Sequence, residues 1–402
     1  MIEKLAINGG KPVRDTYLAY GKQYIDDDDI KAVVDVLKGD YLTTGPKVKE
    51  FEDTVANYVG AKYAVAVSNG TAALHTACLA AGIGEGDEVI VPPITFAASS
   101  NCILYCGGKP VFVDINPDTY NIDVEKIEGA ITVRTKAIIP VDFAGQSVDM
   151  DLICKIADKY NLTIIEDAAH ALGSEYKGEK IGSIADMTEF SFHPVKPITT
   201  GEGGVIVTNN EELYKKMLLF RSHGITRDSK LLTHNEGPWY YEQLHLGYNY
   251  RITDIQCSLG LSQINKIDEF VKNRREIVNR YNEAFKDIEE IITPREDEFS
   301  NSGWHIYVIK LNLDKLTCTR KEIFEALQVE NIGVNVHYLP VYLHPYYEKL
   351  GYKRGLCPEA EKLYERMLTL PLFPKMTDKD VEDVIRAVKK VVDYYSMENC
   401  PL

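Results

Sequence analysis

Between Tyr63 and Val207 the chain alternates short apolar runs with helical patterns, and this alternation restricts the fold more than any other feature. Residues 64–67, 88–91, 110–113, 137–141 and 162–165 read as strands, followed by 188–192 and 205–208. Helical spacing lies between them at 70–78, 96–104, 124–130 and 150–160. Several of the strands are apolar throughout rather than alternating, the pattern of a strand covered by helices on both faces. The expected architecture is α/β with a mainly parallel sheet. Beyond Val207 the pattern changes. Helices at 211–220 and, as one long element, 253–285 flank a loop containing Gly237-Pro-Trp-Tyr-Tyr241. Residues 304–311, a helix from Arg320, 333–337 and a final helix at 377–394 then read as a smaller α+β domain. The expectation is a large domain over residues 15–252 and a small one over 253–402.

Upstream, Asp26-Asp-Asp-Asp29 precedes Ile30, Val33, Val34 and Leu37, a helical spacing with acids in its first turn. An acidic metal site is the sharper reading of these aspartates and a charged helix start the plainer one. Pro46 opens another helix, with Val48, Phe51, Val55 and Val59 on its apolar side. The formal net charge of −15 and the lack of a basic run argue against nucleic-acid binding. An anionic ligand then needs local groups, such as helix N-termini and a few placed cations. No apolar run approaches the roughly 20 residues of a membrane span, and no signal peptide is visible at the start. The eight cysteines are scattered without a Cys-x-x-Cys pair. The expectation is a cytoplasmic, reduced protein with no metal site and no membrane partner.

Chemistry concentrates in one stretch. The strand at 188–192 ends at His193-Pro194, and Lys196 is held between Pro194 and Pro197. Two prolines fix φ and remove donors, so the loop carrying this lysine is stiff. A lysine presented at one fixed geometry suits covalent attack on a carbonyl, although a surface lysine in a hairpin is the ordinary alternative. Three further stretches fall just past strand ends, where parallel sheets place ligands. Ser68-Asn-Gly-Thr-Ala72 puts Gly70 and the Thr71 hydroxyl at a helix start, a phosphate cradle or a plain N-cap. Asp167 follows a buried strand, where an unpaired carboxylate is costly, and His170 lies three residues on. Phe96, after Pro92-Pro-Ile-Thr95, could cover a planar cofactor or simply fill the core. Together they supply an amine, an acid, a phosphate nest and an aromatic cover, the set that pyridoxal phosphate requires.

With these residues in place the chain closely resembles the DegT/StrS-type sugar-nucleotide aminotransferases from about residue 19 to 391. That resemblance implies the PLP-dependent transferase type I (aspartate aminotransferase) fold, with a mainly parallel seven-stranded sheet. Tyr20-Gly-Lys-Gln23, Asp40-Tyr-Leu-Thr-Thr-Gly-Pro46, Ser191-Phe-His-Pro-Val-Lys196, Ser222-His-Gly-Ile-Thr-Arg227 and Gly237-Pro-Trp-Tyr-Tyr-Glu-Gln243 look most like the PseC type. The resemblance implies that Lys196 bonds pyridoxal 5'-phosphate as a Schiff base and that Asp167 pairs with the ring nitrogen. His170 would stand near the ring hydroxyl, where many relatives have glutamine. Ser191, Gly70, Thr71 and Ala72 would bind the phosphate and Phe96 would stack on the ring. Asn249, in Gly247-Tyr-Asn-Tyr-Arg251, would reach the phosphate of a partner subunit, making a homodimer with shared sites. Thr43, Thr44, His337 and Tyr338 would lie near the sugar. The implied reaction moves an amino group from L-glutamate to a UDP-linked 4-keto-6-deoxy sugar on the route to pseudaminic acid. Lysine at position 196 favours transamination over the dehydration that relatives with histidine there perform. Another nucleotide 4-keto sugar of the bacillosamine or perosamine type, or a PLP-binding regulator without turnover, are the alternatives.

Overall fold

The computed structural model describes residues 3–399. Two helices, α1 (Asp27–Leu37) and α2 (Pro46–Val59), lead into an alternating series. In order this runs β1 (Tyr63–Val67), α3 (Gly70–Ala80), β2 (Glu88–Val91), α4 (Ala98–Tyr105), β3 (Lys109–Phe112) and α5 (Val124–Ala130). It continues with β4 (Thr135–Ile138), α6 (Met150–Tyr160), β5 (Thr163–Asp167), β6 (Met187–Ser191) and β7 (Gly204–Thr208). The seven strands form one sheet in the order β1-β7-β6-β5-β4-β2-β3. Only β7 runs against its neighbours β1 and β6, and the other pairings are parallel. This is the mainly parallel sheet expected, with the apolar strand residues Val65, Val89, Ile138 and Ile165 fully buried. The helix expected at 96–104 starts two residues late, at Ala98, with Ala97 as its N-cap.

Past the sheet come α7 (Glu211–Arg221), α8 (Asp254–Ile264) and α9 (Ile267–Phe285). The single helix expected over 253–285 is therefore two. Its apolar spacing continues across the junction, but Lys266 leaves the helix to pair with Asp26 and Asp29 at the start of α1, at 2.5 and 3.0 Å. Those two aspartates also form a reciprocal cap on α1, so the acidic run is a helix start. Further along come β8 (Ile291–Ile292), β9 (Tyr307–Leu311), α10 (Arg320–Val329), β10 (Met367–Leu370) and α11 (Asp378–Tyr395), with shorter helices between α10 and β10 and a few two-residue strands elsewhere. Strands β8, β9 and β10 make a small antiparallel sheet. Residues 333–337 form no strand of this sheet but adjoin it, Asn335 by a bridge to Thr369 and His337 by its Nδ1, 2.9 Å from Thr369 Oγ1.

Two cores meet along α9. Cys257, Ile264, Ile267, Phe270 and Val271 share a core with Phe51, Val55 and Phe190. Ile277, Tyr281 and Phe285, further along the same helix, share one with Ile309, Leu327 and Val388. One helix thus feeds the core of the large sheet with its first turns and the core of the small sheet with its last.

Candidate active site

A cavity of about 890 Å³ opens at the C-terminal ends of β1, β2, β5 and β6. The loop from Phe192 to Gly203 forms one wall and is closed by its own hydrogen bonds. Phe192 donates its N–H to Gly203 O at 2.9 Å, Thr200 N–H donates back to Phe192 O at 3.1 Å, and Lys196 N–H donates to His193 O at 2.9 Å. The Thr199 hydroxyl donates to the same Phe192 carbonyl at 3.0 Å. These bonds, with the flanking prolines, hold Lys196 half-buried in the cavity. Burial lowers its pKa to about 8, while the nearby carboxyls of Asp167 and Glu189 oppose that shift.

Asp167 ends β5 and is 5% exposed. Ser99 Oγ, on α4, donates to its Oδ2 at 2.6 Å, and Ala169 N–H donates to Oδ1 at 3.2 Å. Thr95 Oγ1 lies 2.6 Å from Ser99 Oγ and completes a hydroxyl relay towards the carboxylate. Burial pushes the Asp167 carboxyl upward, and the donors and Lys196 pull against it. A cation placed against this acid would relieve that cost.

On the β1 side, α3 begins at Gly70, capped by Asn69, whose Oδ1 accepts from Ala72 N–H at 2.8 Å. Gly70, Thr71, Ala72 and Ser191 line the cavity together. The first N–H groups of a helix have no intrahelical partner and attract anions. A Cβ at Gly70 would lie 2.6 Å from Glu189 Oε1 and 3.0 Å from Ser191 Cβ, so a larger residue there would have to displace the buried Glu189 carboxyl. Phe96, 62% exposed, also lines the cavity, free to cover a planar group, with its ring centroid 6.2 Å from that of Tyr338.

His170 accepts from Ala144 N–H through Nδ1 at 3.2 Å, and its Nε2 is 3.3 Å from Tyr338 Oη. Burial and the Lys196 charge keep this imidazole neutral, so its proton sits on Nε2. His337 also lines the cavity, 2.9 Å from Thr369 Oγ1 through Nδ1, with its pKa lowered to about 4 by burial. Ten of the residues singled out in the sequence thus meet in one place. Thr43, Thr44 and Asn249 are exposed and lie outside the lining of this cavity. Ser99, Glu189 and His305, which the sequence reading passed over, are inside it. For Glu189 a signal existed: it stands two residues before Ser191 on one strand and so shares its face.

The residues fit pyridoxal phosphate. An amine of lowered pKa, a buried acid wanting a cation, and a helix start at which Gly70 leaves room for a close approach are arranged around one cavity large enough for the group. The sheet order and this site define a PLP-dependent enzyme of the type I fold. The chain belongs to the DegT/DnrJ/EryC1/StrS aminotransferase family, whose sequence model matches residues 23–389. It is 45% identical over 381 residues to the spore coat polysaccharide biosynthesis protein SpsC of Bacillus subtilis, covering 94% of this chain and 98% of that one. It is 43% identical over 370 residues to the UDP-4-amino-4,6-dideoxy-N-acetyl-beta-L-altrosamine transaminase of Campylobacter jejuni, covering 91% and 95%. Among solved structures, Helicobacter pylori PseC, an aminotransferase of pseudoaminic acid biosynthesis, superposes with a TM-score of 0.88 at 35% identity, covering 94% of this chain and all of that one. The PLP form of the putative sugar aminotransferase Spr1654 from Streptococcus pneumoniae superposes with a TM-score of 0.87 at 35% identity, covering 94% and 99%.

Proposed function

We propose that this enzyme transfers the amino group of L-glutamate to UDP-2-acetamido-2,6-dideoxy-β-L-arabino-hexos-4-ulose. The products are UDP-4-amino-4,6-dideoxy-N-acetyl-β-L-altrosamine and 2-oxoglutarate, and the setting is the cytoplasmic synthesis of pseudaminic acid. The observation that carries the reading is Lys196, an amine brought to about 8 inside a cavity whose floor bears Asp167. The choice of sugar rests on the activities of the Campylobacter and Helicobacter relatives.

Bound PLP supplies an electron sink conjugated to the substrate carbon being deprotonated. Lys196 Nζ is the base that takes the proton from the amino acid α-carbon and, in the second half-reaction, delivers one to sugar C4. Its lowered pKa leaves a usable neutral fraction near neutral pH. Asp167 holds a proton on the ring nitrogen, and Ser99 and Ala169 N–H keep its carboxylate aimed. The start of α3 and Ser191 would hold the phosphate, Phe96 would cover the ring, and His170 would stand near the ring hydroxyl. His337 and Tyr338 approach the sugar. Two substrates take turns in one cavity, so the kinetics are ping-pong.

Asn249, exposed and outside the cavity of its own chain, is proposed to complete the phosphate site of a partner subunit in a homodimer, with Thr43 and Thr44 near the sugar. Asn249→Ala then weakens PLP binding, and an unchanged affinity would argue against shared sites. The alternative sugar is another nucleotide-linked 4-keto sugar, favoured by the slightly higher identity to a spore coat polysaccharide protein. Purified enzyme, PLP and L-glutamate assayed against a panel of nucleotide 4-keto sugars separates the readings. A 4-amino sugar from the UDP-linked L-arabino ketose supports the first, activity confined to another ketose supports the second, and inactivity with PLP still bound points to a regulator.

A further inference from the structure

The cavity floor holds a carboxyl for which the chemistry above has no task. Glu189 on β6 is the direct register partner of Asp167 on β5 in their parallel pairing, so both side chains leave the same face of the sheet. It is 1% exposed, it lines the cavity, and neither of its carboxyl oxygens has a hydrogen-bond donor among the described residues. Gly70 closes over it from α3, at a distance that leaves no room for a methyl group. The groups that face it are Asp167 from β5, Cys102 from α4 and the Lys196 ammonium from the loop.

An ionised carboxylate only accepts hydrogen bonds. Two of them in contact in a buried site cannot both stay charged. Of this pair, Asp167 has the donors, Ser99 Oγ and Ala169 N–H, and Glu189 has neither. The charge therefore belongs on Asp167 and the proton on Glu189. We propose that Glu189 is a neutral carboxylic acid whose O–H donates to the Asp167 carboxylate, making it a positioning residue for the acid that meets the cofactor nitrogen. Burial and the Asp167 charge both push the Glu189 carboxyl well upward, in agreement with that placement of the proton. With three donors on its oxygens Asp167 becomes a weaker base. The proton it shares with the ring then stays on the ring nitrogen.

The role assigned to the ring nitrogen rests on the proposed function; the existence of the Glu189 proton does not, and two readouts keep them apart. In cofactor-free protein, infrared spectra of wild type and Glu189→Gln at neutral pH should differ by the carbonyl stretch of one protonated carboxyl. No such difference means that Glu189 is ionised, and the proposal falls. In the PLP-loaded enzyme, the pH midpoint of the visible absorbance should match wild type in E189Q, whose amide still donates, and shift in Glu189→Leu, which cannot. Equal shifts in both variants, or none in either, overturn the role. Asp167→Asn run alongside identifies the other failure: if it leaves the midpoint unmoved, Asp167 does not meet the ring, and the infrared result alone decides. The infrared comparison also decides should the leucine variant fail to fold.

Discussion

Two lysines of this molecule have been drawn out of water, and they are treated in opposite ways. Lys390 on α11 has a side chain 2% exposed and is fully answered: Glu330 lies 2.9 Å away, Glu3 3.3 Å, and Lys11 O accepts at 2.8 Å. Glu330 in turn accepts from the N–H groups of Ala6 and Val13, each at 2.8 Å, so this cluster fastens the start of the chain to the small domain. Lys196 makes no ion pair among the described residues and bears its burial as a lowered pKa. A buried amine supplied with partners holds structure together. One left without them is kept reactive, at some cost to stability.

The comparison is broken most severely at Lys196. Lys196→Ala should lower turnover by at least ~10²–10⁴-fold and abolish the visible absorbance of lysine-bound PLP. A persisting band would remove the central assignment. Next in size, Lys390→Met leaves Glu330 buried and charged without its counter-ion. Losing one partner of a buried pair costs about 3–5 kcal/mol, which should appear in denaturant unfolding while kcat of the folded fraction stays near wild type. The two sites also differ in pH response. Capture of PLP by apoenzyme requires a neutral amine, so its rate should climb as pH rises through about 8, the Lys196 value. A climb centred on the ordinary lysine range would cancel the distinction. The same depressed pKa penalises the folded state below about 8 and is relieved as pH rises towards the unfolded value. Lys196→Met should therefore stabilise the apoprotein at neutral pH, the reverse of Lys390→Met. The smallest effect is expected at Thr377, whose reciprocal cap with Asp380 starts α11 beneath Lys390. Thr377→Ala should cost ~1 kcal/mol with no change in activity.

The sheet was legible in the sequence because its strands are apolar on both faces and its helices announce themselves by spacing. Lys196 was legible because prolines bracket it, and Asp167 because an acid at a buried strand end invites a question. What stayed hidden depends on partners distant in the chain. The break between α8 and α9 interrupts an apolar pattern that runs on without a fault. Its cause is Lys266 reaching two aspartates some 240 residues earlier. Ser99 looks like any serine near a helix start until β5 brings Asp167 beside it. Glu189 did carry a signal in its spacing from Ser191, but its neighbours Phe190 and Phe192 make the strand read as core. Phe190 does pack there, on the face opposite Glu189. Thr43, Thr44 and Asn249 were singled out by resemblance alone, and nothing within the single chain draws them to the cavity.

Helix α9 has 19 residues, a rod of roughly 28 Å, with one end sunk in each core. A strut built into both bodies does not bend at its middle without breaking its own ladder of hydrogen bonds. Any rocking of the small sheet must be taken up in the connections beside it. The contact most exposed to such movement is Tyr338 against His170, which reaches from the far side of the cavity to its floor. The ends of this strut lie outside the cavity lining, so a change at Ile277 or Val271 would act on how the two cores are held and not on the residues that face the cavity.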